Sequence, residues 1–230
     1  MNLPLLVSVP HAGLKIPQEI EQYCALTQEQ ILDDSDEGAA EVYSFKPEVA
    51  GYVTTDVARV IVDVNRAETD RSPDGVVKTR TCQDVPVYCQ IPPPELQETL
   101  IERYYRPYHN QLTELAARAS LGFDCLAMLT IGPSVGPDAG CQRPNICLSN
   151  ADGTCPQDWF DKLIRCFEES FGIQVSVNEP FRGGHIIRTH ASELPWVQVE
   201  LSRAPFLSFA EKRKRVLEAL SAFCDFFGNT

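Results

Sequence analysis

The chain has 230 residues, 20 Lys and Arg against 32 Asp and Glu, and a formal net charge of -12. That length suits one large domain spanning 1–230 with a sizeable core, and the acidic balance, with no basic stripe, excludes the cationic surface that nucleic acids need. Nine cysteines, an odd number without any Cys-x-x-Cys spacing, and a start at Met1-Asn-Leu-Pro without a charged n-region read as reduced thiols of a cytoplasmic protein, and no run approaches the ~18–20 apolar residues of a membrane span.

Leu3 to Val9 predicts a buried strand that ends in Pro10 and His11, so the imidazole stands just past a strand's carboxyl end, where open α/β sheets place their chemistry. His11 there reads either as a metal ligand or as a polar residue bonded to a carbonyl. Thr27 to Phe45 carries a helical pattern opened by Thr-Gln-Glu-Gln, with Asp33, Asp34, Asp36 and Glu37 crowded before Gly38. Val53 to Val64 predicts a strand leading into Asn65 and Arg66. Ala67 to Pro94, rich in Asp, Pro, Thr and Gly, reads as a loop region of active-site size or as a solvated excursion.

From Pro94 to Ala119, Leu96, Leu100, Tyr104, Tyr108, Leu112 and Leu115 recur every three or four residues, predicting a helix that Pro107 kinks or breaks. Cys125 to Ile131 predicts a second buried strand and Gly132 to Cys155 a loop. Gln157 to Phe171 reads as an amphipathic helix, Val175 to Val177 and Gly184 to Arg188 as short strands, Trp196 to Leu201 as a buried strand, and Phe209 to Phe227 as a closing helix. Strands alternating with helices imply an α/β fold, a three-layer sandwich about a central mixed, largely parallel sheet.

Three constellations carry candidate chemistry. If Val60 to Val64 is extended, Arg59, Asp63 and Asn65 share one face. The planar guanidinium of Arg66, beside Asn65, then reads as a clamp for a carboxylate at the end of a strand, or Arg59 and Asp63 as an internal ion pair with Arg66 exposed. Glu200, beside Gln198 and Arg203, lies near the end of an apolar strand, where burial raises a carboxyl toward the range of a general base or acid; a helix cap or an arginine partner fits the same position. In Phe181-Arg-Gly-Gly-His-Ile-Ile-Arg-Thr-His190 the paired glycines make room for a ligand or form a hairpin, next to His185, Arg188 and His190.

In chain order these blocks resemble the N-formylglutamate amidohydrolase family: Ser8-Val-Pro-His-Ala-Gly13, Asp36 through Val42-Tyr43, Arg59 through Asn65-Arg66, Gly75-Val-Val-Lys-Thr-Arg-Thr81 before Pro86-Val-Tyr88, Arg103-Tyr-Tyr-Arg-Pro-Tyr-His109, Asn178 through Arg188, and Val197-Gln-Val-Glu-Leu-Ser-Arg203. The resemblance implies a phosphorylase/hydrolase-like, zinc-carboxypeptidase-like fold. It also implies metal-dependent hydrolysis of the formyl amide of a small acidic N-acyl amino acid such as N-formylglutamate, with zinc or another divalent metal as cofactor. Carried over by position, His11 and Asp36, or Glu37 in its place, would be metal ligands, and Glu200 the base that activates the metal's water. Arg59 would stabilise the developing oxyanion, and Asn65 and Arg66, with Arg188, would hold the substrate as the Asn-Arg pair of zinc carboxypeptidases does.

The chain departs from the family where an Asp-x-His-Ser block supplies another ligand. The corresponding stretch, Ala127-Met-Leu-Thr-Ile-Gly-Pro-Ser134, has no histidine, and Gly132 or Pro133 stands in the imidazole's place. His185 then reads as a migrated ligand, or as a substrate-contacting or structural residue, while His109 reads as structural or at the rim and His190 as a surface residue or a support behind the site. Two functions follow: an amidohydrolase with Glu200 as base and Arg66 as clamp, or a catalytically degenerate relative that binds an acidic metabolite or a protein partner.

Overall fold

A computed structural model describes residues 2–134 and 137–228. The apolar runs assemble into one sheet of six strands, β1 (Leu3–Val9), β2 (Val49–Thr54), β3 (Leu121–Met128), β4 (Ile146–Ser149), β5 (Ser176–Val177) and β6 (Trp196–Ser202), in the order β2-β1-β3-β6-β4-β5. Neighbouring strands are parallel except β4 and β6, which are antiparallel. The central strands are apolar on both sides because both sides are covered. On one, Leu5, Val7, Phe123, Val197 and Val199 pack beneath α2 (Ala39–Val42), α5 (Gln157–Phe171) and α7 (Phe209–Gly228). On the other, Leu6 and Trp196 meet Val60 and Ile61 and the buried faces of α3 (Pro94–Leu100) and α4 (Arg106–Ala116). The result is the expected α/β architecture about a mixed, mostly parallel sheet.

The second face is not apolar throughout. Ser8 lies opposite Asp124, Asp124 opposite Gln198, and Leu126 opposite Glu200 in register, and residues in register point to the same side. A polar strip therefore runs inside the sheet toward the carboxyl ends of β1, β3 and β6.

Several expected elements are differently built. Thr27 caps α1 (Gln28–Asp34) with a full capping box, but the helix ends at Asp34 and resumes only after Gly38, whose φ of 83° starts α2. The break turns Asp36 onto the end of β1, its amide donating to the His11 carbonyl at 3.1 Å. Val53 to Val64 is not one strand: β2 stops at Thr54, and the Ile61 and Val62 amides both return to the Ala58 carbonyl. Val60, Ile61, Val62 and Val64 are all buried, so the run is a plug of core with no exposed face and the period-of-two argument does not apply. β3 starts at Leu121 and stops at Met128, and the expected loop at Gly132 to Cys155 contains β4. The expected strand at Gly184 to Arg188 is a short helix, α6 (His185–Thr189). Ahead of Pro107, Ile101–Tyr105 forms a π-helical turn that closes with the Arg106 amide on the Ile101 carbonyl, so the helix absorbs the proline rather than ending at it. All nine cysteines are free, and no helix among the described residues is long and apolar enough to cross a membrane.

Candidate active site

A cavity of about 490 Å³ opens at the carboxyl ends of the central strands, and His11, Asp36, Arg59, Asn65, Arg66 and Glu200 all line it. His11 is buried, its Nε2 2.8 Å from Asp63 Oδ1 and its Nδ1 3.6 Å from Asp36 Oδ2. That Nδ1 has no hydrogen-bond partner. Asp63 also accepts the Asn65 amide at 2.9 Å on Oδ1 and Arg59 Nη2 at 3.0 Å on Oδ2. Burial alone would raise the Asp63 carboxyl, yet His11 and Arg59 hold it well below the usual carboxylate range. Asp36 accepts the Ala127 amide at 2.8 Å, with Arg59 Nη1 at 3.5 Å; here too burial is outweighed by His11 and Arg59, and its carboxyl is lowered. Burial and Arg59 work against a charged His11, but Asp63 and Asp36 prevail and raise the imidazole.

Arg59 and Asp63 thus meet across a turn of four residues rather than along one face of a strand. Since Asp63 neutralises His11, Arg59 and, at 3.9 Å, Lys78, Asp63→Ala is expected to destabilise the protein by about 3 kcal/mol or more in chemical denaturation, because buried partners are left unpaired. A change below about 1 kcal/mol would remove Asp63 as the keystone of this cluster.

Asp124, fully buried, accepts Ser8 Oγ at 2.9 Å and Asn65 Nδ2 at 3.0 Å, and burial raises its carboxyl to about 7. The other end of the Asn65 amide accepts the Ile186 amide at 2.9 Å. Gln198 accepts the Gly184 amide at 2.6 Å and donates to Glu200 Oε1 at 2.9 Å. Asn65 and Gln198 therefore take up amides at the start of α6, groups the helix itself leaves unpaired. The paired glycines serve this contact: a Cβ at Gly184 would lie 2.5 Å from the Asn65 amide nitrogen. Glu200 is 5 % exposed, and burial, followed by the charge of Asp36, raises its carboxyl to about 8.

Arg66 is held by Asp74, through Nη2 at 2.6 Å to the carboxylate and Nε at 2.9 Å to the carbonyl, which leaves Nη1 as its less committed edge. Lys78, fully buried, is 2.6 Å from Asp74 and 3.5 Å from Asp34. Sequence reasoning assigned no site role to Asp34, Asp74, Lys78 or Asp124. The signal was present for two of them: Lys78 follows Val76-Val77, and Asp124 interrupts Leu121-Gly-Phe-Asp-Cys-Leu126, charges inside apolar runs that burial makes costly unless paired.

His185 and Arg188 are elsewhere. His185 Nε2 is 3.0 Å from the Tyr105 hydroxyl, and Arg188, exposed, donates to the Gly183 and Arg182 carbonyls at 3.2 Å. Glu37 is exposed while Asp36 is buried, so Asp36 is the carboxylate at the site. His109 bonds the Val64 carbonyl and His190, both at 2.9 Å, and burial lowers its imidazole to about 4. The folded state thus keeps His109 neutral where the unfolded chain takes up a proton near pH 6.5. Its contribution to stability is full above that pH and is lost as pH falls toward 4, an expected decline of about 3 kcal/mol. Denaturant titrations at several pH values check this, and His109→Gln should flatten that part of the profile; an unchanged slope in the variant would assign the acid sensitivity to other groups.

A catalytic zinc keeps three protein ligands and an open position. The unpartnered His11 Nδ1 and the Asp36 carboxylate fit two of them. On the cavity wall near them, Leu126 lies opposite Glu200 and next to Ala127, whose amide bonds Asp36, and its apolar side chain offers no third donor. Gly132 does not stand there: it lies beyond the end of β3, its amide on the Cys141 carbonyl, and a side chain on it would run into the Asp138 carbonyl. The apolar Leu126 and Pro133 thus both stand on the cavity wall, Leu126 beside Glu200, while Gly132 lies outside the lining. Among the described residues no group of three or more His, Cys, Asp or Glu could hold a metal ion, so the residues present do not fit a complete zinc site.

Comparison with known proteins adds the following. A family model described as N-formylglutamate amidohydrolase matches residues 3–207. An N-formylglutamate deformylase of Pseudomonas putida is 26 % identical over 227 residues, covering 91 % of this chain and 84 % of the relative; one from Pseudomonas aeruginosa is 25 % identical, covering 90 % and 83 %. The crystal structure of an N-formylglutamate amidohydrolase from Ralstonia eutropha superposes with a TM-score of 0.80 at 23 % identity, covering 96 % of this chain and 93 % of that one.

Proposed function

The chain belongs to the N-formylglutamate amidohydrolase family, and from that membership we propose that it is a hydrolase, a single domain over 1–230, that cleaves the formyl amide of a small acidic N-acyl amino acid such as N-formylglutamate. The observation that carries this reading is the convergence of His11, Asp36, Arg59, Asn65, Arg66 and Glu200 on one cavity. The Arg66 guanidinium, steadied by Asp74, receives a substrate carboxylate. The Arg59 Nε–H, buried and without a hydrogen-bond partner, is the donor for the oxygen that gains charge as the amide carbon becomes tetrahedral. Glu200 takes a proton from the attacking water and returns it to the leaving nitrogen; a carboxyl near 8 can both hold and release a proton around neutrality. The Asn65-Arg66 pair supports a wider kinship with zinc carboxypeptidases. His11 and Asp36 would contribute to a divalent metal if one binds, but with Leu126 offering no third donor no step above depends on it.

The test is formate release from N-formyl-L-glutamate by purified protein, with and without added zinc. Formate at the uncatalysed rate under both conditions would overturn the hydrolase reading. It would leave the second one, a catalytically degenerate family member that binds an acidic metabolite or protein partner, which the apolar cavity wall at Leu126 favours.

A further inference from the structure

The geometry points to Arg203 as the seat of a second substrate carboxylate, so that the cavity selects N-acyl dicarboxylic amino acids over their monocarboxylic or amidated counterparts. This rests on the hydrolase reading for the substrate's acyl amide, and on the cavity alone for its two acids. Arg59, Arg66, Arg80, Arg143, Arg182 and Arg203 line the cavity. Five of them already have a carboxylate within 4.0 Å: Asp36 and Asp63 for Arg59, Asp74 for Arg66, Asp84 for Arg80, Asp138 for Arg143 and Asp152 for Arg182. Among the described residues Arg203 has none.

Its guanidinium is nevertheless fixed. Nη1 donates to the Asp33 carbonyl at 3.2 Å, and the backbone amide donates to the Met128 carbonyl at 2.9 Å, which ties the residue to the end of β3. Nε is buried and has no partner. An anchored Nη1 leaves the Nε and Nη2 edge, the pair of parallel N–H groups that accepts a carboxylate side-on. A buried donor without a partner carries a desolvation cost that an incoming acceptor removes. Arg203 follows Glu200 by three residues at the end of β6, about 10 Å along an extended chain, so it addresses an acid remote from the scissile amide. Arg66 then receives the acid next to that amide.

Calorimetry with glutarate and with its half-amide, glutaramate, tests the subsite without turnover. Wild-type protein is expected to bind glutarate at least ~30-fold more tightly, and Arg203→Met to lose that margin while glutaramate affinity moves by less than about threefold. If the methionine variant does not fold, Arg203→Lys, which keeps the charge but not the fork, is expected to lose most of the margin. In turnover, the preference for N-formyl-L-glutamate over N-formyl-L-glutamine should collapse in the same variants. Equal binding of glutarate and glutaramate by the wild type overturns the subsite whether or not formate is released, as does a margin that survives Arg203→Met. An Arg203-dependent margin without any formate release supports the subsite and sinks the hydrolase reading instead.

Discussion

Glu200→Gln is expected to lower formate release from N-formyl-L-glutamate by about a thousandfold, within the range for loss of a positioned acid–base group, with KM changed by no more than about threefold. The substitution keeps the size of the side chain and an oxygen that can still accept from Gln198 Nε2, now 2.9 Å from Glu200 Oε1. It also removes a buried carboxyl that Asp36 repels, so the thermal midpoint should be unchanged or higher. Lost turnover in a fully folded protein separates proton transfer from packing. The pH profile adds a sign: as a base Glu200 must be ionised, so kcat/KM should climb as pH rises toward about 8, and the remaining rate of the glutamine variant should lack that limb. A loss of less than about tenfold would take Glu200 out of the chemistry.

The sheet and the core of the site were legible for definite reasons. Leu3 to Val9 and Trp196 to Leu201 are apolar because covered parallel strands are apolar on both sides, and His11 and Glu200 stand at or near their carboxyl ends, where such sheets place ligands. The Val60 to Val64 run was misleading because a segment buried on every side has no periodicity to separate strand from coil. The Gly183-Gly184 pair does reach the cavity wall, but the space beside Gly184 is taken by Asn65, and the chain then turns into α6, which carries His185 to Tyr105 and away from the cavity. Strand β3 was expected at Cys125 to Ile131 and runs instead over Leu121–Met128, which brings Leu126 to the cavity wall opposite Glu200. The same shift left Asp124 outside the strand and hid the polar strip it shares with Ser8 and Gln198.

The corrected register leads to the second large effect: Leu126→His is expected to tighten zinc binding by at least about a hundredfold, since even outer partners of a metal's ligands are worth 10–100-fold and this change adds a ligand. The β3 backbone at this point is set by pairing with β6 on one side and by the Ala127 amide on Asp36 on the other, so the new imidazole would stand at a fixed position on the wall of the cavity that His11 also lines, and His11 Nδ1 has no competing hydrogen bond. Three donors then line one cavity, the number a catalytic zinc site keeps. Cobalt(II) should give the absorption of a tetrahedral centre in the variant and not in the wild type. Without metal the variant should be less stable by about 2 kcal/mol, because an imidazole replaces an apolar side chain against the cavity wall, and zinc should restore the loss by binding only the folded state. If the wild type already takes up one zinc as tightly as the variant, the third ligand lies elsewhere and Leu126 is not the position that separates this chain from a three-ligand metal site.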